Sequence, residues 1–236
     1  MSYFIFNGKQ STDFKIGVEQ CRAYYAAARE VERQTVPGRA GELLRETGTY
    51  LNGTQSYDIY FNGKTSGMTA AAAQIVQWLT SGRGYVRLED SYEPDVYRMA
   101  CFAGPVEAAN WMNRFGRMTI SFDCMPQRWL KSGETPVSVT SGQRLQNDWQ
   151  PALPLIQLTG TGDGVLTVGG STITVTGMNG SLTIDSESQN AYDGTTNKNG
   201  SISVSGGFPV LGTGETVVAF SGGITAVEIT PRWWRL

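Results

Sequence analysis

The chain has 236 residues, with 19 Lys+Arg set against 21 Asp+Glu and no histidine. The missing histidine excludes Ser-His-Asp triads, Cys-His pairs, HExxH zinc sites and any histidine general base. A formal charge of −2 without a basic run supplies no electrostatic footprint for nucleic acid or for an anionic membrane surface.

The opening Met1-Ser-Tyr-Phe-Ile-Phe-Asn-Gly lacks the basic start and long apolar stretch of a signal peptide. No apolar run approaches the ~20 residues of a membrane helix, so neither classical export nor membrane insertion is expected. Cys21, Cys101 and Cys124 have no CxxC spacing and are expected as reduced core thiols. No metal site and no cofactor is expected. Val36-Pro37-Gly38-Arg39 reads as a type II turn, because Pro fixes φ at the first central position and Gly accepts positive φ at the second. Arg39 would then project toward a carboxylate on the same chain or on a neighbour.

Tyr57, Ile59 and Phe61 alternate ahead of Asn62-Gly63, and Met118, Ile120, Phe122 and Cys124 ahead of Pro126. Both patterns predict half-buried strands. Between them the spacing predicts a helix from Thr69 to Thr80, with an apolar stripe of Ala72, Ile75, Val76 and Leu79. Thr69 would cap its start, and Gly82 would supply a left-handed residue after its end. Glu89, Asp90, Glu93 and Asp95 crowd the segment that follows. A glycosidase needs two carboxyl groups facing each other ~5–9.5 Å apart. A solvated connection is the preferred reading, with Asp58 or Asp123 as the second carboxylate a hydrolase would need.

Composition changes near Lys131–Pro136, a polar stretch that looks like a linker. Up to Pro136 lie 15 of the 19 Lys+Arg and all three Cys, whereas 16 of the 29 Gly fall beyond it. We expect an amino-terminal domain over 1–133 and a carboxy-terminal domain over 134–236. In the second, Ser171–Thr176, Ser181–Asp185 and Ser201–Ser205 alternate polar with aliphatic residues, and Asn179-Gly180, Asp193-Gly194 and Asn199-Gly200 read as turns. Gly160-Thr-Gly-Asp-Gly164 precedes a strand-like Val165–Val168 and not a helix, which favours a hairpin turn over a phosphate-binding loop. Asp185–Asn190 lacks the pattern of an EF-hand and reads as a polar loop. Trp149, Trp233 and Trp234 (with Trp129) could stack on sugar rings where exposed, although burial in a core or interface is commoner.

Several segments together resemble the distal tail protein family of long-tailed bacteriophages. They include Phe6-Asn7-Gly8, Ile16-Gly17-Val18, Val36–Gly41, Gln77-Trp78-Leu79, Tyr85–Leu88, Tyr92–Tyr97 and Ile120–Pro126. Leu182–Glu187, Phe208–Leu211 and Ile229–Trp234 extend the resemblance through the second half. It implies a mainly β chain: an amino-terminal β-barrel or sandwich-like domain with one α-helix, then a galectin-like or carbohydrate-module-like β-sandwich.

The same resemblance implies a non-enzymatic virion component without catalytic residues. Such a protein forms a hexameric ring that joins the tail tube to the tip or baseplate and passes DNA without gripping it. Its partners would be its own copies, the tail tube protein, the tail-tip hub protein and the tape-measure protein. Val36, Pro37, Gly38 and Arg39 are the candidates for the contact between subunits. The rivals are a carbohydrate-binding module or lectin acting on host cell-wall polysaccharide, stacking sugars on Trp149, Trp233 and Trp234, and a carboxylate-based glycoside hydrolase.

Overall fold

The structure, a computed structural model, describes residues 2–22, 26–62, 67–102, 104, 109–111 and 115–236. The turn expected at Asn62-Gly63 therefore lies partly outside the described residues. The fold is mainly β, and the chain divides into two compact units, Met1–Arg128 (with Leu236) and Trp129–Arg235.

The first unit contains β1 (Phe4–Phe6), β2 (Lys9–Gln10), β3 (Ile16–Arg22), β4 (Arg29–Thr35), β5 (Glu42–Tyr50) and β6 (Gly53–Asn62). After α1 (Met68–Thr80) come β7 (Val86–Asp90), β8 (Val96–Cys101), β9 (Ala109–Trp111) and β10 (Phe115–Leu130). Its main sheet runs β2-β1-β7-β8-β10-β6-β3, with β9 also on β10, while β4 and β5 form a sheet of their own. The period of two read from the sequence sets the register. Tyr57, Ile59 and Phe61 on β6 lie opposite Ile120, Met118 and Gly116 on β10, and the alternating apolar side chains enter the core.

Helix α1 packs on that core through Ala71, Ile75, Trp78 and Leu79. Trp78 decides the orientation. Its ring stacks on Phe14 at 4.3 Å and on Phe4 at 5.5 Å between centroids, and its indole N–H donates to the Phe6 carbonyl at 3.2 Å. The buried stripe is thus rotated from the expected one, leaving Val76 37% exposed. The caps differ too. Gly67 occupies the N-cap position and Thr69 sits within the first turn. At the other end Ser81 closes the helix, its hydroxyl donating to the Trp78 carbonyl at 2.7 Å. Gly82 is not left-handed; a Cβ there would meet Val86 at 3.3 Å.

The second unit contains β11 (Val137–Val139), β12 (Gln143–Asn147), β13 (Leu155–Val168), β14 (Ser171–Asp185) and β15 (Asn190–Asp193). They are followed by β16 (Thr196–Asn197), β17 (Ile202–Ser205), β18 (Gly214–Thr230) and β19 (Trp234–Arg235). The sheet runs β11-β18-β13-β14-β15-β16, with β12 also on β18 and β17 also on β14. Three long strands, β13, β14 and β18, carry the β-sandwich. Each gives residues from both of its halves to one core: Ile156 and Leu166, Ile173 and Ile184, Val218 and Val227.

The glycines expected to make hairpin turns lie inside these strands instead. Gly160–Gly164 falls within β13, and Asn179-Gly180 within β14, so the two segments Ser171–Thr176 and Ser181–Asp185 are one strand. The registers slip at Gly160–Gly164, where β13 and β18 cross at backbone contact. A Cβ on Gly160 would lie 2.0 Å from the Gly223 carbonyl oxygen, and one on Gly223 would lie 2.0 Å from that of Thr161. Sequence alone does not separate this use of glycine from a turn, since both exploit the absent side chain. Asp193-Gly194 does connect two paired strands, β15 and β16, with Gly194 at φ 57°.

Lys131–Glu134, within the stretch that looked like a linker, is a 3-10 turn held by the end of the unit. The Leu130 N–H donates to the Trp233 carbonyl at 2.8 Å, and the Arg232 N–H donates to the Gly133 carbonyl at 2.9 Å. Gly133 is buried because Trp233 backbone occupies the space a side chain would need.

The crossing yields a stability prediction. Gly223→Ala places a methyl against unyielding backbone and should destabilise the second unit by about 3 kcal/mol or more. Gly212→Ala, with nothing within 4 Å of its Cβ, should stay near wild type. Calorimetry of the two variants measures the difference.

Candidate assembly surface

Among the described residues of the first unit, those of the β4 and β5 hairpin are the least enclosed. Along both strands only Val31 and Tyr50 are even half-buried. The register pairs Thr35 with Glu42, Gln34 with Leu43, Arg33 with Leu44 and Val31 with Glu46. Cross-strand ion pairs link Arg33 to Glu42 at 3.4 Å, Arg45 to Glu32 at 3.7 Å and Arg29 to Glu46 at 3.5 Å. Each is exposed, and such pairs contribute ~0–1 kcal/mol. Leu43 is 41% exposed and Leu44 63%. As neighbours on one strand they point to opposite faces, so each broad face of the hairpin presents a leucine to solvent. A lone two-stranded hairpin is marginally stable in water.

At its tip the Arg39 N–H donates to the Val36 carbonyl at 3.2 Å, and Gly38 has φ 79°. This is the type II turn that Pro37 and Gly38 dictate. No other side chain among the described residues bonds the Arg39 guanidinium, which stands at the end of an arm whose longer strand spans about 30 Å.

The acidic segment beside β7 is ordered by a buried carboxylate. Asp90 Oδ2 accepts from the Tyr57 hydroxyl at 2.6 Å and from Arg98 at 3.3 Å. Its Oδ1 accepts from the Tyr92 and Glu93 N–H groups, both at 2.9 Å. Glu93 pairs with Arg98 and, at 3.4 Å, with Arg128. Glu89 pairs with Arg87 at 2.5 Å. Burial opposes the charge on Arg98, but the charges of Glu93, Tyr57 and Asp90 outweigh it and raise its pKa. Burial likewise pushes the Cys124 thiol up to about 11. The segment expected as a solvated connection is thus built around buried Asp90 and Arg98, 5% exposed each. Asp123, further off, accepts from Asn52 and Tyr85, both at 2.9 Å.

The loop after β14 has a comparable organiser. Arg232 reaches Asp185 at 2.6 Å and Glu187 at 3.2 Å. Burial tends to raise the Asp185 pKa, but the Arg232 hydrogen bond and charge, with the Glu187 N–H, lower it below the usual value.

The tryptophans separate by environment. Trp149 is 39% exposed, with the Arg235 guanidinium 5.3 Å from its ring centroid. Trp233 and Trp234 are half-buried against the second core. The Trp234 indole N–H donates to the Pro151 carbonyl at 3.0 Å, and its ring lies 6.5 Å from that of Trp129. No helix among the described residues is long and apolar enough to cross a membrane.

No family model matches the chain, and no curated relative matches its sequence. Among solved structures it matches the crystal structure of the SPP1 Dit (gp 19.1) protein, with a TM-score of 0.78 over 100% of both chains. The fold is that of SPP1 Dit. Sequence identity is 14%, so the likeness lies in the path of the backbone. That protein is described as a paradigm of the hub adsorption apparatus in phages infecting Gram-positive hosts. The mainly β architecture that the family resemblance implied is the one found.

Two predictions follow from the charge networks. Arg98→Met strands Asp90 and Glu93 beside one remaining arginine and should cost about 3–5 kcal/mol, read from denaturant unfolding of the full chain. Asp185 titrates below the ~3.9 of an unfolded aspartate. Its contribution is therefore present above about pH 4 and lost as pH falls through the lowered folded value. Arg232→Gln should flatten that acid limb in thermal melts between pH 2 and 5.

Proposed function

We propose that this chain is a distal tail protein, a non-enzymatic component of a long-tailed phage virion. Its first unit would form a ring, in our reading a hexamer, between the tail tube and the tip or baseplate. The observation that carries this is the full-length match to the fold of SPP1 Dit, spanning both units. The exposed hairpin supports it further. A closed ring needs one surface of each copy to meet a different surface of the next. An arm with a leucine on each face and an unpaired arginine at its tip is suited to lying across a neighbour. Val36, Pro37, Gly38 and Arg39 would set the reach and direction of that contact. Tail tube, tape-measure and tip-hub proteins would be the further partners, with DNA passing through the lumen.

Carbohydrate binding by the second unit is a second reading, favoured by the 39% exposure of Trp149, whose ring the Arg235 guanidinium approaches at 5.3 Å. Trp233 and Trp234 could contribute only the edges that their packing leaves uncovered.

Light scattering after size exclusion tests the ring. The expected mass is six times the 25.7 kDa chain, and a strict monomer at all concentrations would count against self-assembly through the hairpin. Leu44→Glu should shift the equilibrium toward monomer at least tenfold. Arg39→Ala should weaken assembly more at low salt than at high, and identical behaviour across ionic strengths would remove Arg39 from the contact.

A further inference from the structure

The hairpin of β4 and β5 is broken near its root. Its register pairs Arg29 with Tyr50 and Val31 with Glu46, so Thr47, Gly48 and Thr49 stand opposite Glu30 alone. Gly48 takes φ 81° there, a conformation that its missing side chain permits. Glu30 closes the break from the other strand. Its carbonyl accepts from the Thr47 hydroxyl at 3.1 Å, and its Oε2 accepts from the Thr49 hydroxyl at 2.7 Å. Below the break the root is tied. The Leu51 N–H donates to the Ala28 carbonyl at 2.8 Å, and the Arg29 guanidinium lies 5.9 Å from the centre of the Tyr50 ring.

Beyond the break little holds the arm, residues 31–46. Among the described residues β4 and β5 pair with each other and with no other strand, so both outer edges are open. Along the two strands of the arm every side chain but Val31 is exposed. The Arg33–Glu42 and Arg45–Glu32 pairs lie in solvent, where such contacts contribute little. Ordering a backbone costs conformational entropy, and here no covered apolar face offsets it. Segments of this kind open separately from the core to which they are joined.

We propose that residues 31–46 fold on assembly: in the free subunit the arm beyond Glu30 opens independently of the main sheet, and a second copy of the chain orders it. The covering copy rests on the ring reading given above; the opening does not. Four Arg and four Glu lie between residues 29 and 46, so the arm carries no net charge with which to draw a polyanion. Leu43 and Leu44, exposed on opposite faces, suit a protein surface instead. Contact and hairpin then form as one event, and the ordering cost is subtracted from the affinity between subunits.

Hydrogen exchange of the full chain, resolved to single amides by mass spectrometry, tests this at two concentrations set by light scattering. In dilute, monomeric protein the amides of 31–35 and 42–46 should exchange at nearly unstructured rates, while those of Leu51, Ile59 and Ile120 stay protected. In the concentrated, assembled protein the arm amides should slow by roughly a hundredfold or more. Arm amides as protected as Ile120 in the monomer would overturn the proposal and leave the ring reading intact. So would an assembled protein whose arm still exchanges freely. A chain that stays monomeric at every concentration overturns the ring and the covering copy together, and its exchange pattern still decides whether the arm opens. A cross-strand disulfide at the paired positions Thr35 and Glu42, made by Thr35→Cys with Glu42→Cys, gives a second readout. Oxidised, it should assemble at about tenfold lower concentration than wild type, and a reductant should abolish the gain; no gain would show that ordering the arm does not limit assembly.

Discussion

Two backbones in contact, at Gly160 and Gly223, set the shape of the second unit. Strands longer than about a dozen residues twist and need relief if they are to cover both sides of a core. Here β13, β14 and β18 bend at shared glycines, and one set of strands supplies both layers. The layers close on Ile156, Leu158, Leu166, Ile184 and Val227, all essentially inaccessible. A side chain at the crossing would push β13 and β18 apart and open the core along its length.

The first unit depends on a different kind of contact. Its aromatic core of Phe4, Phe6, Tyr57, Trp78 and Phe122 is non-directional in its main driving force, but Tyr57 also carries a hydroxyl into it. Asp90 takes that hydroxyl and two backbone N–H groups, and Arg98 balances its charge. A buried carboxylate with every oxygen engaged is costly to disturb. The connection from β7 to β8 is therefore fixed to the sheet although its composition is that of a surface loop.

What could be read from sequence divides along physical lines. Strands with one buried face announce themselves by period two, as at Tyr57–Ile59–Phe61 and Met118–Cys124. The Pro37-Gly38 turn is legible because its backbone angles follow from those two residues alone. The helix was legible in extent, but its rotation was not. Trp78 outweighs Val76 through ring stacking with Phe4 and Phe14, residues far away in sequence. Gly160–Gly164 and Asn179-Gly180 misled for a related reason: glycine reports a demand on the backbone, and only the folded chain says whether that demand is a turn, a close crossing as at Gly160, or a positive φ inside a strand as at Gly180. Of the assembly surface, the turn was readable and the isolation of its arm was not.

The hydrogen bond from the Leu130 N–H to the Trp233 carbonyl bears on how such a chain can be altered. The second unit is entered at Trp129 and left at Arg235 through neighbouring backbone, with Gly133 and Arg232 closing the seam. A module whose entrance and exit touch can be exchanged, enlarged or permuted while both junctions keep their places. Selection for a new surface could therefore act on everything between them, provided the seam itself is carried along as a single piece.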